Sequence, residues 1–329
     1  MHYRTIGSDP ARQRTVSVLG LGTMAFGTGL DEAASFALLD RFVEAGGTLL
    51  DTSNNYAFWA DGSQGGQSET MVGRWLAASG ARDRVVVATK VGARPVRPAR
   101  DFAEVEGLSP DVVREQVDRS RERLGVEQVD LLHAHLRDPA TPLADQVAGL
   151  AALVEAGSVG VLGASNFWVW ELERSLQLAG DGPRYDTVQY QHSYLRPRTD
   201  LPSLHAPEGA AGVADGQVLS WLADRRDVTL IAYSALLKGT YAAPDAPLPP
   251  GFDHPGTHER LAVLDEVARE TGTSRNQVVL AWLLGGQVPS IPLVGPRTVA
   301  ELDECLAAVD LELTADQRQR LDGPRTFVG

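Results

Sequence analysis

Short continuous apolar runs alternate along this chain with longer stretches in which apolar side chains recur at three- and four-residue intervals. The first pattern suits strands buried on both faces, the second amphipathic helices. Two strand-like pieces, residues 3–6 and 15–18, flank Gly7-Ser8-Asp9-Pro10 and read as a hairpin ahead of the main fold. From there the alternation is regular. Residues 18–21 precede a helix over about 31–45, 48–51 a helix over about 68–78, and 85–90 a helix that Ser109 caps, Pro110 begins and Leu124 ends. The strand 129–133 is followed by a helix over 143–156, 159–164 by one over 168–179, and 187–191 by one over 215–225. Residues 229–232 precede two helices, 259–271 and 274–284, and 290–293 lead into 299–309 and a last short helix near 315–321. Eight βα units without a dividing linker predict one domain over residues 1–329, a (β/α)8 TIM barrel carrying an N-terminal hairpin.

Composition narrows the function more than the fold. Hydrophobic residues make up 43% of the chain and charged residues 22%, the balance of a soluble globular protein. A formal charge of −13 argues against nucleic acid or an anionic membrane as partner. Cys305 is the single cysteine, which excludes an intramolecular disulfide and a cysteine metal cluster and fits a reducing cytoplasm. No metal is expected, and no run approaches the length of a membrane helix. The dinucleotide fingerprint of doubly wound folds is absent, because Gly20-Leu21-Gly22-Thr23-Met24-Ala25 ends in alanine where a third glycine belongs.

Active sites of such barrels lie at the carboxyl ends of the strands. Asp51, Lys90, His135, Ser165, Asn166, Gln189 and Tyr233 fall there, and Tyr56 follows Asp51 by five residues. Three long loops on the same face, 57–67, 194–212 and 239–258, are rich in Gly, Pro and small polar residues and read as pocket walls and a lid. A tyrosine with a pKa of about 10 is a poor acid at neutral pH. A cation beside it favours phenolate, and the chain has only two lysines, Lys90 and Lys238. With Asp51 holding Lys90, Tyr56 is expected to titrate below its ordinary value and to take part in proton transfer, with a histidine beside it. Either His133 or His135 could serve, since the two-residue period of a strand puts both on one face. Taken singly, each residue also has a plain structural use, Asp51 as a turn cap and Ser165-Asn166 as a helix cap among them. Lys90 at a barrel strand end could alternatively be a Schiff-base lysine.

Asp51, Tyr56, Lys90 and His135, in that order, resemble the catalytic tetrad of the aldo-keto reductase superfamily. So do the segments around them: Leu50-Asp51-Thr52-Ser53-Asn54-Asn55-Tyr56, Ala88-Thr89-Lys90-Val91-Gly92, the run from Asp130 to Asp138, Gly163-Ala164-Ser165-Asn166-Phe167 and Ile231-Ala232-Tyr233-Ser234-Ala235-Leu236. The resemblance selects His135 over His133 and implies an NADP-dependent reductase of an aldehyde or ketone, with a small-molecule carbonyl substrate. It places Ser165, Asn166 and Gln189 on the nicotinamide carboxamide and Tyr233 against the nicotinamide ring. Ser234, Leu236 and Lys238 fall at the pyrophosphate, and Gly295 and Arg297 at the adenosine phosphate, with Arg297 on the 2′-phosphate. The family ends its adenine-binding helix with Glu-Asn, where this chain has Glu304-Cys305. The superfamily's potassium-channel β subunits imply a second reading, a binding or regulatory protein with vestigial chemistry. Phe58, Trp59, Trp168 and Tyr194 favour an apolar or ring-shaped substrate, and Asp61 and Arg196 a polar sugar.

Overall fold

The computed structural model describes residues 1–60, 63–97, 101–198, 200–201, 212–243 and 247–323. Strands β1 (Tyr3–Ile6) and β2 (Arg14–Ser17) pair antiparallel, as the turn sequence between them predicts. The barrel strands are β3 (Gly20–Gly22), β4 (Leu49–Asp51), β5 (Val86–Val91), β6 (Val129–Ala134), β7 (Val159–Ser165), β8 (Tyr185–Gln191), β9 (Thr229–Tyr233) and β10 (Ser290–Val294). They form a closed parallel barrel in chain order, β10 pairing with both β3 and β9. The helices are α1 (Glu32–Glu44), α2 (Gln67–Ser79), α3 (Pro110–Leu124), α4 (Leu143–Glu155), α5 (Val169–Ala179), α6 (Gly216–Asp224), α7 (Pro255–Thr271), α8 (Arg275–Leu284), α9 (Val299–Ala307) and α10 (Ala315–Asp322). The expected (β/α)8 barrel is therefore the observed one.

Local chemistry explains most boundaries. Asp31 and Asp215 accept backbone N–H groups at the starts of α1 and α6, while Gly125 in the left-handed region ends α3. One expectation needs correction: Ser109 stands at the start of α3, but its side chain makes no capping hydrogen bond. Pro110, whose missing N–H costs nothing at the first helical position, marks that start instead.

The inside of the barrel is filled in layers. Toward its amino-terminal end, Leu49, Val86, Leu131, Val161, Ile231 and Ile291 pack with Ile6 and Val16, so the hairpin plugs the bottom. Above this apolar plug the inward positions turn polar: His133 is in register with Lys90 on one side and Gly163 on the other, and Gly163 with Thr187. Gly163 has no substitute here, because a Cβ would lie 2.4 Å from the His133 ring and 2.3 Å from Thr187 Oγ1. Larger apolar clusters fill the space between strands and helices.

Candidate active site

Thr52 to Tyr56 continue to track β5 after β4 has ended. Thr52 N–H donates to Ala88 O at 2.8 Å and Asn54 N–H to Lys90 O at 3.1 Å, and the turn closed by Tyr56 N–H on Ser53 O returns the tyrosine over the barrel mouth. Lys90 projects inward from β5 beneath it with no exposed side-chain surface. Its ammonium has three N–H groups and three acceptors: Asp51 Oδ2 at 2.6 Å, Thr52 O at 2.8 Å and the Tyr56 hydroxyl at 2.8 Å. Asp51 is held at its other oxygen by Gln189 Nε2 at 2.8 Å. A lysine with every donor engaged and no exposed surface is not placed to attack a carbonyl, which removes the support for a Schiff base.

The electrostatics reverse one expectation. Burial, followed by the charge of Asp51, pushes the Tyr56 pKa well above 10, not below it. Burial also pulls the Lys90 ammonium below its usual range, with Asp51 opposing. The physical reason is that the lysine's charge is spent on Asp51, leaving the phenol beside a pair of small net charge in a largely buried site. The phenol is thus protonated at neutral pH, its hydroxyl oxygen 3.4 Å from Asp51 Oδ2.

The two histidines separate cleanly. His133 lies within β6, fully buried, its Nε2 3.1 Å from Thr187 Oγ1, and burial together with Lys90 pushes its pKa down to about 3. It is a neutral filler of the barrel's polar layer. His135 lies one residue beyond the strand end, its ring edge-on to Tyr56 at a centroid distance of 6.3 Å and its Nδ1 3.2 Å from Ser53 Oγ. Asp51, Tyr56, Lys90 and His135 therefore meet in one cluster.

A second polar group sits on the adjoining strand ends. Asn166 Nδ2 donates to His135 O and to Ser165 Oγ, each at 3.0 Å, Ser165 Oγ donates to Gln189 O, and Tyr233 OH donates to Asn166 Oδ1 at 2.9 Å. Asn166 adopts a left-handed backbone (φ 63°), and so do Ser234, Leu237 and Lys238 beyond β9. Such conformations cost of order 1–3 kcal/mol each outside glycine and gather at functional sites. Lys238 is exposed beside the half-buried Leu236. Across β10, Gly295 leaves open space where a Cβ would stand, and Arg297 is exposed, its guanidinium donating to Gly29 O at 3.3 Å and, among the described residues, pairing with no carboxylate. Glu304 is turned away to the start of α8, where it accepts from Ser274 Oγ and Asn276 Nδ2. Its neighbour Cys305 is buried, the thiol pushed up to about 12 by burial and by Glu304.

The sequence reading missed the buried acids behind the cluster. Glu106, in the loop between β5 and α3, accepts from Asn54 Nδ2 at 2.8 Å and from Gly92 N–H at 2.6 Å, so one carboxylate clamps the Tyr56 loop to the residue following Lys90-Val91. Burial pushes its pKa up. Glu69 on α2 is fully buried between Arg123 Nε and Thr89 Oγ1. Neither acid lies in a recognisable pattern. Ser53, Asn54 and Asn55, by contrast, stood inside the Asp51–Tyr56 segment.

Aromatic side chains ring part of the mouth. Phe58 packs edge-on against Trp59 at 5.3 Å and Phe102 at 5.1 Å, and Arg137 lies over the Trp168 ring at 5.4 Å. Trp59 and Trp170 are exposed. Tyr194 is no pocket wall: it is fully buried against Trp282 and under the Arg260 guanidinium. Asp61 and parts of all three long loops lie outside the described residues. Among the described residues no group of His, Cys, Asp and Glu could hold a metal ion, and no helix is long and apolar enough to cross a membrane.

Comparison with known proteins agrees with this geometry. An uncharacterized oxidoreductase of Bacillus subtilis, YrpG, is 30% identical over 95% of this chain and 92% of its own. The norsolorinic acid reductase stcV of Emericella nidulans is 29% identical over 95% of this chain and 79% of its own. The aryl-alcohol dehydrogenase GME11368 of Pestalotiopsis microspora is 28% identical over 95% and 80%. Residues 18–324 match the model of the aldo/keto reductase family, and the chain belongs to that family of carbonyl-reducing oxidoreductases.

Proposed function

We propose that the protein is an NADPH-dependent reductase of aromatic aldehydes or ketones, with Tyr56 as proton donor. The observation that carries this reading is the buried contact of Lys90 with Asp51 and the Tyr56 hydroxyl at the barrel mouth. NADPH, when bound, supplies a hydride. The donor set fits its nicotinamide end: Ser165, Asn166 and Gln189 bring together hydroxyl and amide groups of the kind a carboxamide pairs with, here bonded to one another and to Asp51, His135 O and Tyr233, and Tyr233 adds a half-buried ring. The turn at 234–238, with Ser234, Leu237 and Lys238 left-handed, and Arg297, exposed and without a carboxylate partner among the described residues, fit the phosphate groups, Arg297 as a fixed charge for the 2′-phosphate.

The chain's own residues then divide the work. Tyr56 gives its proton to the substrate oxygen, and Lys90, donating to the phenol oxygen, stabilises the phenolate left behind. Asp51 keeps Lys90 charged and in place, with Gln189 fixing the carboxylate. His135 donates a hydrogen bond to the same substrate oxygen. Phe58, Trp59, Phe102 and Trp168 supply flat apolar surface, in keeping with an aromatic substrate and with relatives named for norsolorinic acid and aryl alcohols. Glu304, engaged with Ser274, and Cys305, buried, leave the adenine contact weaker than the family pattern implies. The acidic chain and its single cysteine support a cytoplasmic enzyme with no nucleic-acid partner, one barrel over residues 1–329. A panel of aryl aldehydes and ketones, followed by loss of NADPH absorbance, tests the proposal. Tyr56→Phe should lower the rate about 10²–10⁴-fold while leaving NADPH affinity in place. Turnover near the wild-type value in that variant would remove Tyr56 from the chemistry.

A further inference from the structure

The hydrogen bonds behind His135 carry more information than its position. Asn55 Nδ2 is 3.1 Å from Ala93 O, a backbone carbonyl that can only accept. This fixes the orientation of the Asn55 amide, since the opposite one would set two acceptor oxygens against each other in a buried site. Asn55 Oδ1 consequently points at Ser53 Oγ, 2.7 Å away. One proton must lie between these oxygens, and the amide oxygen has none, so the Ser53 hydroxyl donates to Asn55. The competing acceptor, Lys90 O, is 3.5 Å from Ser53 Oγ and too distant to take that proton in preference. Ser53 and Asn55 are 0% and 1% exposed, which leaves no water to rearrange the chain. With its proton committed, Ser53 Oγ can only accept from His135 Nδ1, 3.2 Å away.

We infer that Ser53, oriented by Asn55 and Ala93 O, locks neutral His135 into the tautomer protonated at Nδ1, so that His135 can donate from Nε2 only as the imidazolium. Ser53 is thus a positioning residue that makes His135 a pH-dependent donor, and it sits within the segment joining the proton donor to its aspartate. A neutral histidine in this setting has an acceptor at Nε2, the wrong polarity for a carbonyl oxygen. Polarisation of the substrate by His135 is then available on the acid side of the imidazolium titration and lost above it. Tyr56 lies edge-on to the ring, with the Lys90–Asp51 pair behind it, and Asn166 links the His135 carbonyl to Tyr233. Arg137, two residues on, is paired with Glu171 at 2.6 Å. The functional half of this inference rests on the proposed role of His135 in carbonyl reduction; the tautomer itself does not.

The two halves are read separately. In protein labelled with ¹⁵N-histidine, long-range proton–nitrogen correlation distinguishes the tautomers of neutral imidazole, and the His135 signals are those missing from His135→Gln. Wild type should show the proton on Nδ1, and Ser53→Ala should move it toward Nε2, whatever the protein reduces. A wild-type neutral His135 protonated at Nε2 overturns the inference outright. For the consequence, kcat/KM for an aryl carbonyl should fall by about tenfold per pH unit above the imidazolium titration seen by NMR, as for any step needing one protonated group. Ser53→Ala should flatten that limb by giving neutral His135 a donor at Nε2, whereas Ser53→Thr, which keeps the hydroxyl, should retain it. An Nδ1 tautomer with the same limb in wild type and Ser53→Ala would mean that the lock exists but does not govern the reaction, and the stated role of Ser53 falls.

Discussion

Replacing Lys90 by methionine isolates the strongest electrostatic contact in the site. The side chain is 0% exposed, and methionine fills nearly the same volume, so packing changes little. What changes is the environment of Asp51, 2% exposed: it loses a donor at 2.6 Å and keeps Gln189 at 2.8 Å and the long contact to Tyr56 at 3.4 Å. Removing one partner of a buried ion pair leaves an uncompensated charge and costs about 3–5 kcal/mol. Lys90→Met should therefore unfold at markedly lower urea concentration, read by tryptophan fluorescence. The double variant Asp51→Asn/Lys90→Met, which buries no charge and keeps an acceptor for Gln189, should recover most of that loss. Both should reduce carbonyls poorly, since the phenolate left by Tyr56 has lost its cation. A loss under about 1 kcal/mol in Lys90→Met, or a double variant no more stable than the single, would refute the pairing argument.

Three further outcomes follow from the geometry. Because burial and Asp51 raise the Tyr56 pKa, difference absorbance of the cofactor-free protein, wild type minus Tyr56→Phe, should show no tyrosinate from this residue until well above pH ~10; ionisation below that value would restore the expectation drawn from the sequence. Arg297→Ala should weaken NADPH by roughly 1.5–3 kcal/mol and NADH much less, in a tryptophan-fluorescence titration of both cofactors. A uniform loss would make the segment structural. In the buried pair behind Lys90, Glu69 is 0% exposed and Arg123 22%, so Arg123→Ala, which strands the acid, should lower the urea midpoint more than Glu69→Gln, which leaves a partly solvated cation.

The order of elements and the barrel were legible in the sequence because they rest on local rules. Periods of hydrophobicity mark strands and helices, Pro110 and the glycines mark their ends, and eight repeats close a barrel of fixed hand. The four residues that cluster at the barrel mouth were legible too, since a barrel sends every strand's carboxyl end to the same face. Their electrical state was not. Whether Tyr56 titrates up or down depends on where the Lys90 charge is spent, a matter of ångströms between segments 34 residues apart in sequence. His133 and His135 share a strand period on paper, yet the strand ends at Ala134, so one fills the interior and the other reaches the mouth. Tyr194 reads as a pocket aromatic until packing puts it under Arg260. Glu106 and Glu69 carry no pattern, because an acid buried by tertiary contacts looks in sequence like any surface acid. Ser53 was in plain view, but the donor or acceptor role of a hydroxyl is set by its partners, and those come from three different segments of the fold.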